Sequence, residues 1–182
     1  MREAFFPQST HVIDRYHFIR QVHWALENVR KWEQKRMTVT ERKWFKRSRS
    51  LLKKPAKDLT QAEKGMVATM LEKSEAIRTA YVLKEGFYTY VLSQKDKETA
   101  ATALTKWKEE AKKGGQREWC YCLRAYKNWF EEITNSFDYP WSNGYVEGTH
   151  NKIKTVKRVA FGMQNFHHFR TKCLLSVQTM SE

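Results

Sequence analysis

Residues 142–158 read SNGYVEGTHNKIKTVKR, from Ser142 to Arg158. One acid, Glu147, follows the Asn143-Gly144 turn signal, and every formal charge after it in the stretch is positive. The spacing predicts a helix from about Tyr145 to Val159. At 3.6 residues per turn, Glu147, Asn151, Lys154 and Arg158 fall on one polar stripe, and Val146, Ile153, Val156 and Ala160 gather roughly opposite, toward a core. Glu147 then admits two roles. Its carboxylate can hold a divalent cation while the cations below bind the phosphates that the metal activates. It can equally complement the helix dipole, with the cations merely solvated. Spacing alone favours the second.

Working outward, the chain is helical on both sides of this segment. Downstream, a break at Phe161-Gly162 precedes a last helix, about Asn165 to Val177, bearing Phe166, Phe169, Cys173, Leu174 and Val177. Upstream, Asn135 to Gly144 (NSFDYPWSNG) is a strong turn cluster. Before it, Trp119, Leu123, Tyr126, Phe130 and Ile133 form one stripe of a helix from about Gln116 to Thr134. Gly114-Gly115 ends an earlier helix, Glu98 to Lys112, striped with Ala100, Leu104, Trp107 and Ala111. Another runs from Glu75 to Ser93 with Ile77, Ala80, Tyr81, Phe87, Tyr88 and Val91. Thr60-Gln61-Ala62-Glu63 is a capping box, so a helix starts at Gln61, with Met66, Val67, Met70 and Leu71 as its buried face. Each stripe is read as core.

Residues 35–57 are basic, anchored by Trp44-Phe45 and Leu51-Leu52 and closed by Pro55. Near the start, Thr10 to Asp14 (THVID) has the β-branched character of a short strand. It leads into a helix striped with Phe18, Val22, Ala25, Val29 and Trp32. A lone strand needs a sheet to pair with, which suggests sequence upstream.

The charge distribution points to a polyanion. The formal net charge is +14 over 182 residues. From Arg30 to Lys57 twelve basic residues face only Glu33 and Glu41, and from Tyr145 to Lys172 six face only Glu147. Residues 58–113 nearly balance, ten basic against nine acidic. Two basic blocks beside a neutral helical body fit nucleic-acid phosphates; a membrane-surface helix or a nonspecific solvated surface has similar charge. The apolar runs fall short of the ~20 residues of a membrane span, and the opening lacks a secretory pattern. Cys120, Cys122 and Cys173 fit neither a disulfide framework nor a zinc pattern, and read as reduced cytoplasmic thiols.

The stretch from Ser142 to Arg170 resembles the closing segment of bacterial insertion-sequence transposases of the ISL-three type. Their pattern is Asn-Gly, then Val-Glu-Gly, Asn-Lys-x-Lys, Lys-Arg, a Gly, and Asn-Phe leading to Phe-Arg. Asn143, Gly144, Val146, Glu147, Gly148, Asn151, Lys152, Lys154, Lys157, Arg158, Gly162, Asn165, Phe166, Phe169 and Arg170 match it. His150 stands where Asn is expected. The likeness extends over nearly the whole chain: the basic Trp44 to Pro55 segment, Leu59 to Glu63, Ala80-Tyr81 with Lys84-Glu85, and the Trp107 helix are similar to that family's helical insertion domain. Pro7 and Asp14-Arg15-Tyr16-His17 resemble its strand-to-helix motif.

This resemblance implies a mostly α fold: a helical insertion domain (35–134) flanked by remnants of an RNase H-like α/β core, at 1–34 and at 135–182. It makes Glu147 the last acid of an Asp-Asp-Glu triad that binds paired Mg2+ ions. Asp14 and His17 then form an Asp-x-x-His motif, with both catalytic Asp residues upstream of Met1; alternatively Asp14 is itself the second catalytic Asp. Lys152, Lys154, Lys157 and Arg158 would hold DNA backbone near Glu147. Arg42, Lys43, Lys46, Arg47 and Arg49 would add nonspecific affinity. The implied partners are DNA at transposon ends and a second copy or a full-length transposase, in a cytoplasmic, nucleoid-associated setting with no membrane. The chain alone is expected to be catalytically incomplete. The competing expectation is a noncatalytic basic DNA-binding or regulatory transposase remnant.

Overall fold

The computed structural model describes residues 9–139, 141 and 143–178. Pro7 and Ser142, both in the motifs above, lie outside the described residues. The chain divides into two units, residues 1–140 and 141–182, and all described regular structure is helical.

The first unit opens with α1 (Arg15–Gln34). Asp14 caps it, its carboxylate accepting the Tyr16 N–H at 2.8 Å, which satisfies one of the orphan donors of the first turn. Phe18, Val22, Ala25, Leu26 and Val29 form its buried stripe. Helices α2 (Val39–Arg47) and α3 (Arg49–Lys53) follow. Then come α4 (Gln61–Glu72) and α5 (Glu75–Gly86), the latter continued by a π-helical turn at Phe87–Val91. Phe87 and Val91, four residues apart on this turn, are both fully buried. Helices α6 (Lys97–Lys113), α7 (Cys120–Asn128) and α8 (Phe130–Asp138) complete the unit.

An aromatic cluster forms the centre of this core. Phe87 packs edge-on against Trp107 at 5.0 Å between ring centroids, and Trp107 against Trp119 at 5.7 Å. Phe18 stacks on Phe137 and meets Phe87 and Tyr126 edge-on. The polar tips are satisfied: Tyr126 O–H donates to the Phe18 carbonyl at 2.7 Å, and the Trp107 indole N–H to the Leu83 carbonyl at 2.8 Å. Large rings thus supply apolar area without leaving buried donors unpaired.

Four sequence expectations change. Thr10 to Asp14 is not a strand; no strand occurs among the described residues. Its polar backbone is used by α8 instead: Ile13 N–H donates to the Glu132 carbonyl at 3.1 Å, and the Asn135 side-chain amide donates to the His11 carbonyl at 2.9 Å. The helix expected over 116–134 is a 3₁₀ turn at Arg117–Trp119 followed by α7 and α8, broken where Trp129 leaves helical geometry at φ −117°, ψ 27°. The turn cluster begins later than expected, because burial of Phe137 draws α8 on to Asp138. Trp32, Met66 and Val146, each assigned to a core-facing stripe, are exposed.

The second unit comprises α9 (Gly144–Val159) and α10 (Phe166–Gln178). The expected break is present, with Phe161 at φ 36° and Gly162 at φ 76°. Gly suits that left-handed geometry, whereas Phe161 adopts it at a conformational cost. Asn165 starts α10, its side-chain oxygen accepting the His167 and His168 N–H groups at 3.0 and 3.2 Å.

Candidate nucleic-acid interface

The basic segment of the first unit folds as a short amphipathic helix. A capping box starts α2: Thr38 N–H donates to the Glu41 carboxylate at 3.1 Å, and Glu41 N–H to the Thr38 hydroxyl at 3.3 Å. Phe45 is fully buried beneath it, with Trp44 edge-on at 5.2 Å. That anchoring turns Arg42, Lys43, Lys46 and Arg47 outward, and Arg49 is also exposed at the head of α3. None of the five is paired with a carboxylate among the described residues. They form a positive surface whose charge remains available to an anion.

Two polar clamps hold this surface to the body. In the first, Arg30 grips Glu27 through Nε and Nη2, one edge of its guanidinium, at 2.9 and 2.6 Å, and donates from Nη1 to Gln34 at 2.5 Å. Gln34 in turn donates to the Arg42 carbonyl, which ties α1 to the basic helix. In the second, the fully buried Lys84 donates to the Lys54 carbonyl at 2.8 Å and pairs with Glu85. The Glu85 carboxylate accepts the Ala56 N–H at 3.0 and 3.2 Å. Burial lowers the Lys84 pKa, and the Glu85 charge opposes that shift. Lys84-Glu85 was visible in the sequence only as a family likeness; its clamping role depends on residues 30 and 29 positions away.

In the second unit, Glu147 lies exposed in the first turn of α9, its N–H donating to the Asn143 carbonyl at 2.9 Å. Asn151, Lys154 and Arg158 are exposed on the same stripe, and Lys157 is exposed beside them. Lys152 is half-buried, and Val156 is buried opposite. The acid at the N-terminal end and Lys157 and Arg158 at the C-terminal end also match the helix dipole.

Asp14 and His17 lie in the first unit, half-buried at the start of α1. His17 Nδ1 lies 3.5 Å from the Arg20 guanidinium. Three or more His, Cys, Asp or Glu side chains able to hold a metal do not converge anywhere among the described residues. A groove of about 1140 Å³ between α5 and α6 has an apolar floor of Val82, Leu83, Gly86, Tyr90, Ala103 and Trp107. Glu75, Arg78, Glu98, Lys106, Glu110 and Lys113 also line it. Cys122 is buried, and burial pushes its thiol well above the usual range, so it is an inert core residue. Tyr16 and Trp24, both exposed, flank Arg20 on α1 at the helical i, i+4 spacing, and Trp24 did not stand out in the sequence.

Comparison with known proteins gives a consistent family. The ISL3-type DDE family model, described as Transposase, matches residues 1–173. A transposase for insertion sequence element IS1001 from Bordetella parapertussis is 25% identical over 93% of this chain and 42% of its own length. A transposase for insertion sequence element IS1557 from Mycobacterium tuberculosis is 28% identical over 66% of this chain and 27% of its own length. A Lactococcus lactis protein named ATP-dependent protease is 28% identical over 68% of this chain and 37% of its own length. The chain therefore spans well under half the length of these relatives. No solved structure matches. With a family match running through both basic segments and the Glu147 helix, the chain belongs to the ISL3-type transposase family.

Proposed function

We propose that this chain acts on DNA as part of a transposase that cleaves and transfers strands, with Glu147 supplying one carboxylate to the metal site. The observation that carries the DNA reading is the row of five exposed, unpaired cations on α2 and α3, held outward by buried Phe45. Lys154, Lys157 and Arg158 on α9, with half-buried Lys152, supply a second set of backbone contacts. Such contacts position DNA without reading its sequence. Within the α1 start, Asp14 serves as a helix cap of an Asp-x-x-His motif with His17, which favours that role over a catalytic one. Action on DNA puts the protein at the bacterial nucleoid in this reading. No described helix is long and apolar enough to cross a membrane.

Mg2+ is the metal the family resemblance implies. The described residues do not assemble its site by themselves, since no three candidate ligands converge among them. Glu147 would be one ligand, completed by carboxylates from outside the described residues. When bound, the metal would activate a water or 3′-hydroxyl and stabilise the leaving oxygen at phosphorus. The chain's own cations hold the phosphate backbone in register for that step.

Duplex binding followed across about 50 to 200 mM salt tests the DNA reading, because each phosphate contact contributes about −0.9 to the slope of log affinity against log salt. Replacing Arg42, Lys46 and Arg47 with Ala should weaken binding and flatten the slope by about two to three. No binding at low salt, or a slope unchanged by the triple replacement, contradicts it. The same lack of converging acids favours a second reading, noncatalytic DNA binding by this chain alone. Under it, the isolated chain binds DNA and does not nick it with Mg2+ present; nicking would eliminate that reading.

A further inference from the structure

Opposite the buried stripe of α1 runs a ridge in which aromatic rings and cations alternate. Tyr16, Arg20 and Trp24 occupy successive i, i+4 positions, so their side chains lie one above another along the helix. The Arg20 guanidinium carbon is 5.6 Å from the Tyr16 ring centroid and 4.6 Å from that of Trp24. One cation thus bridges two rings. Off this row and near the end of α1, Trp32 has Lys35 Nζ at 5.2 Å and the Arg36 guanidinium carbon at 5.8 Å from its ring centroid. The rings remain open to solvent: Tyr16 is 64%, Trp24 50% and Trp32 51% exposed. Neither acid of α1 is exposed beside them. Glu27 is buried against Arg30, and half-buried Glu33 accepts the Ser74 hydroxyl at 2.9 Å. Arg20, Lys31 and Lys35, on or beside the ridge, therefore set its charge, Arg36 being paired with Glu33 at 3.8 Å.

Apolar surface alone would suit many partners; the charge narrows the choice. An occupant that offers flat π faces and negative charge together matches both halves of the ridge. We propose that α1 binds unpaired DNA, with bases stacking on Tyr16 and Trp24 while Arg20, Lys31 and Lys35 hold the strand's phosphates. Aromatic platforms set beside cations bind single strands with little sequence preference, because every base has a π face. A paired duplex buries those faces and gains only the cations. The inference rests on the DNA reading above and deepens it: the α2 surface holds backbone of any form, and the α1 ridge selects the unpaired form.

The test uses the full chain with a labelled oligothymidylate and a labelled duplex at matched salt. Trp24→Ala and Tyr16→Ala should each weaken oligothymidylate binding by about tenfold while duplex affinity stays within about twofold. Trp24→Phe, which keeps a stacking ring, should restore most of the loss. Thermal melting of each variant should match the parent, since both residues are exposed. Unchanged oligothymidylate affinity in Trp24→Ala, or equal losses on both substrates, overturns the inference while leaving the DNA reading standing. Failure of the parent chain to bind either substrate overturns the DNA reading and the inference with it. A change of oligomeric state in Trp24→Ala without any change in DNA affinity would make the ridge a protein interface and overturn the inference.

Discussion

At the scale of single residues, position in the sequence and role in the structure separate most clearly at His23. Its Nε2 lies 2.9 Å from the Tyr88 hydroxyl, beside the π-helical turn that continues α5. Burial first, then the charges of Lys84 and Lys53, lower its pKa from 6.5 to about 4. The unfolded chain therefore binds a proton between those pH values that the folded chain refuses. His23 gives no pH dependence above about 6.5, and it removes stability progressively as pH falls toward 4. Chemical denaturation of a His23→Gln variant across that window should show a shallower acid loss than the parent; an identical profile would contradict the burial argument. Nothing in the sequence marked His23, because its hydrogen-bond partner stands 65 positions away. Glu147 is the reverse case. Its place in the first turn of a basic helix was legible, and the structure adds that the turn is exposed. The dipole and the family motif give it different roles: spacing alone favours the first, and the motif carries the catalytic reading.

Helices were read well where one face is buried and poorly where the backbone is used by a distant element. The stripes Phe18-Val22-Ala25-Val29 and Ala100-Leu104-Trp107-Ala111 are buried as expected, because a 3.6-residue period has one way to meet a core. THVID looks like a strand from its β-branched residues, yet Glu132 and Asn135 of α8 take its hydrogen bonds. No local pattern could reveal that pairing. The break at Trp129 was equally hidden, since Tyr126 and Ile133 are buried on both sides of it. At this scale the core makes a direct prediction. Trp107 contacts Phe87, Trp119 and Tyr126 and donates to the Leu83 carbonyl. Trp107→Ala should cost about 3 to 5 kcal/mol in urea unfolding, the usual range for emptying a large buried ring site. A loss below about 1 kcal/mol would mean that the π turn and its neighbours collapse into the space.

For the molecule as a whole, the charge map was fully legible and the candidate site only in part. The blocks Arg30–Lys57 and Tyr145–Lys172 could be counted from the sequence, and the structure shows which of their cations face solvent. The clamps through Gln34 and Lys84-Glu85 were not countable, because they join residues that only folding brings together. The family match runs through both blocks, and the related transposases are longer than this chain. The central claim is that Glu147 is one of the carboxylates at the reacting phosphate. It is tested most directly by strand cleavage in a full-length family transposase carrying this chain as its matching segment. Glu147→Gln keeps the side chain's size and removes its charge. The account predicts loss of Mg2+-dependent cleavage by roughly a thousandfold or more, a scale typical of losing a principal transition-state stabiliser, with DNA affinity nearly unchanged; cleavage at the parent rate would contradict it.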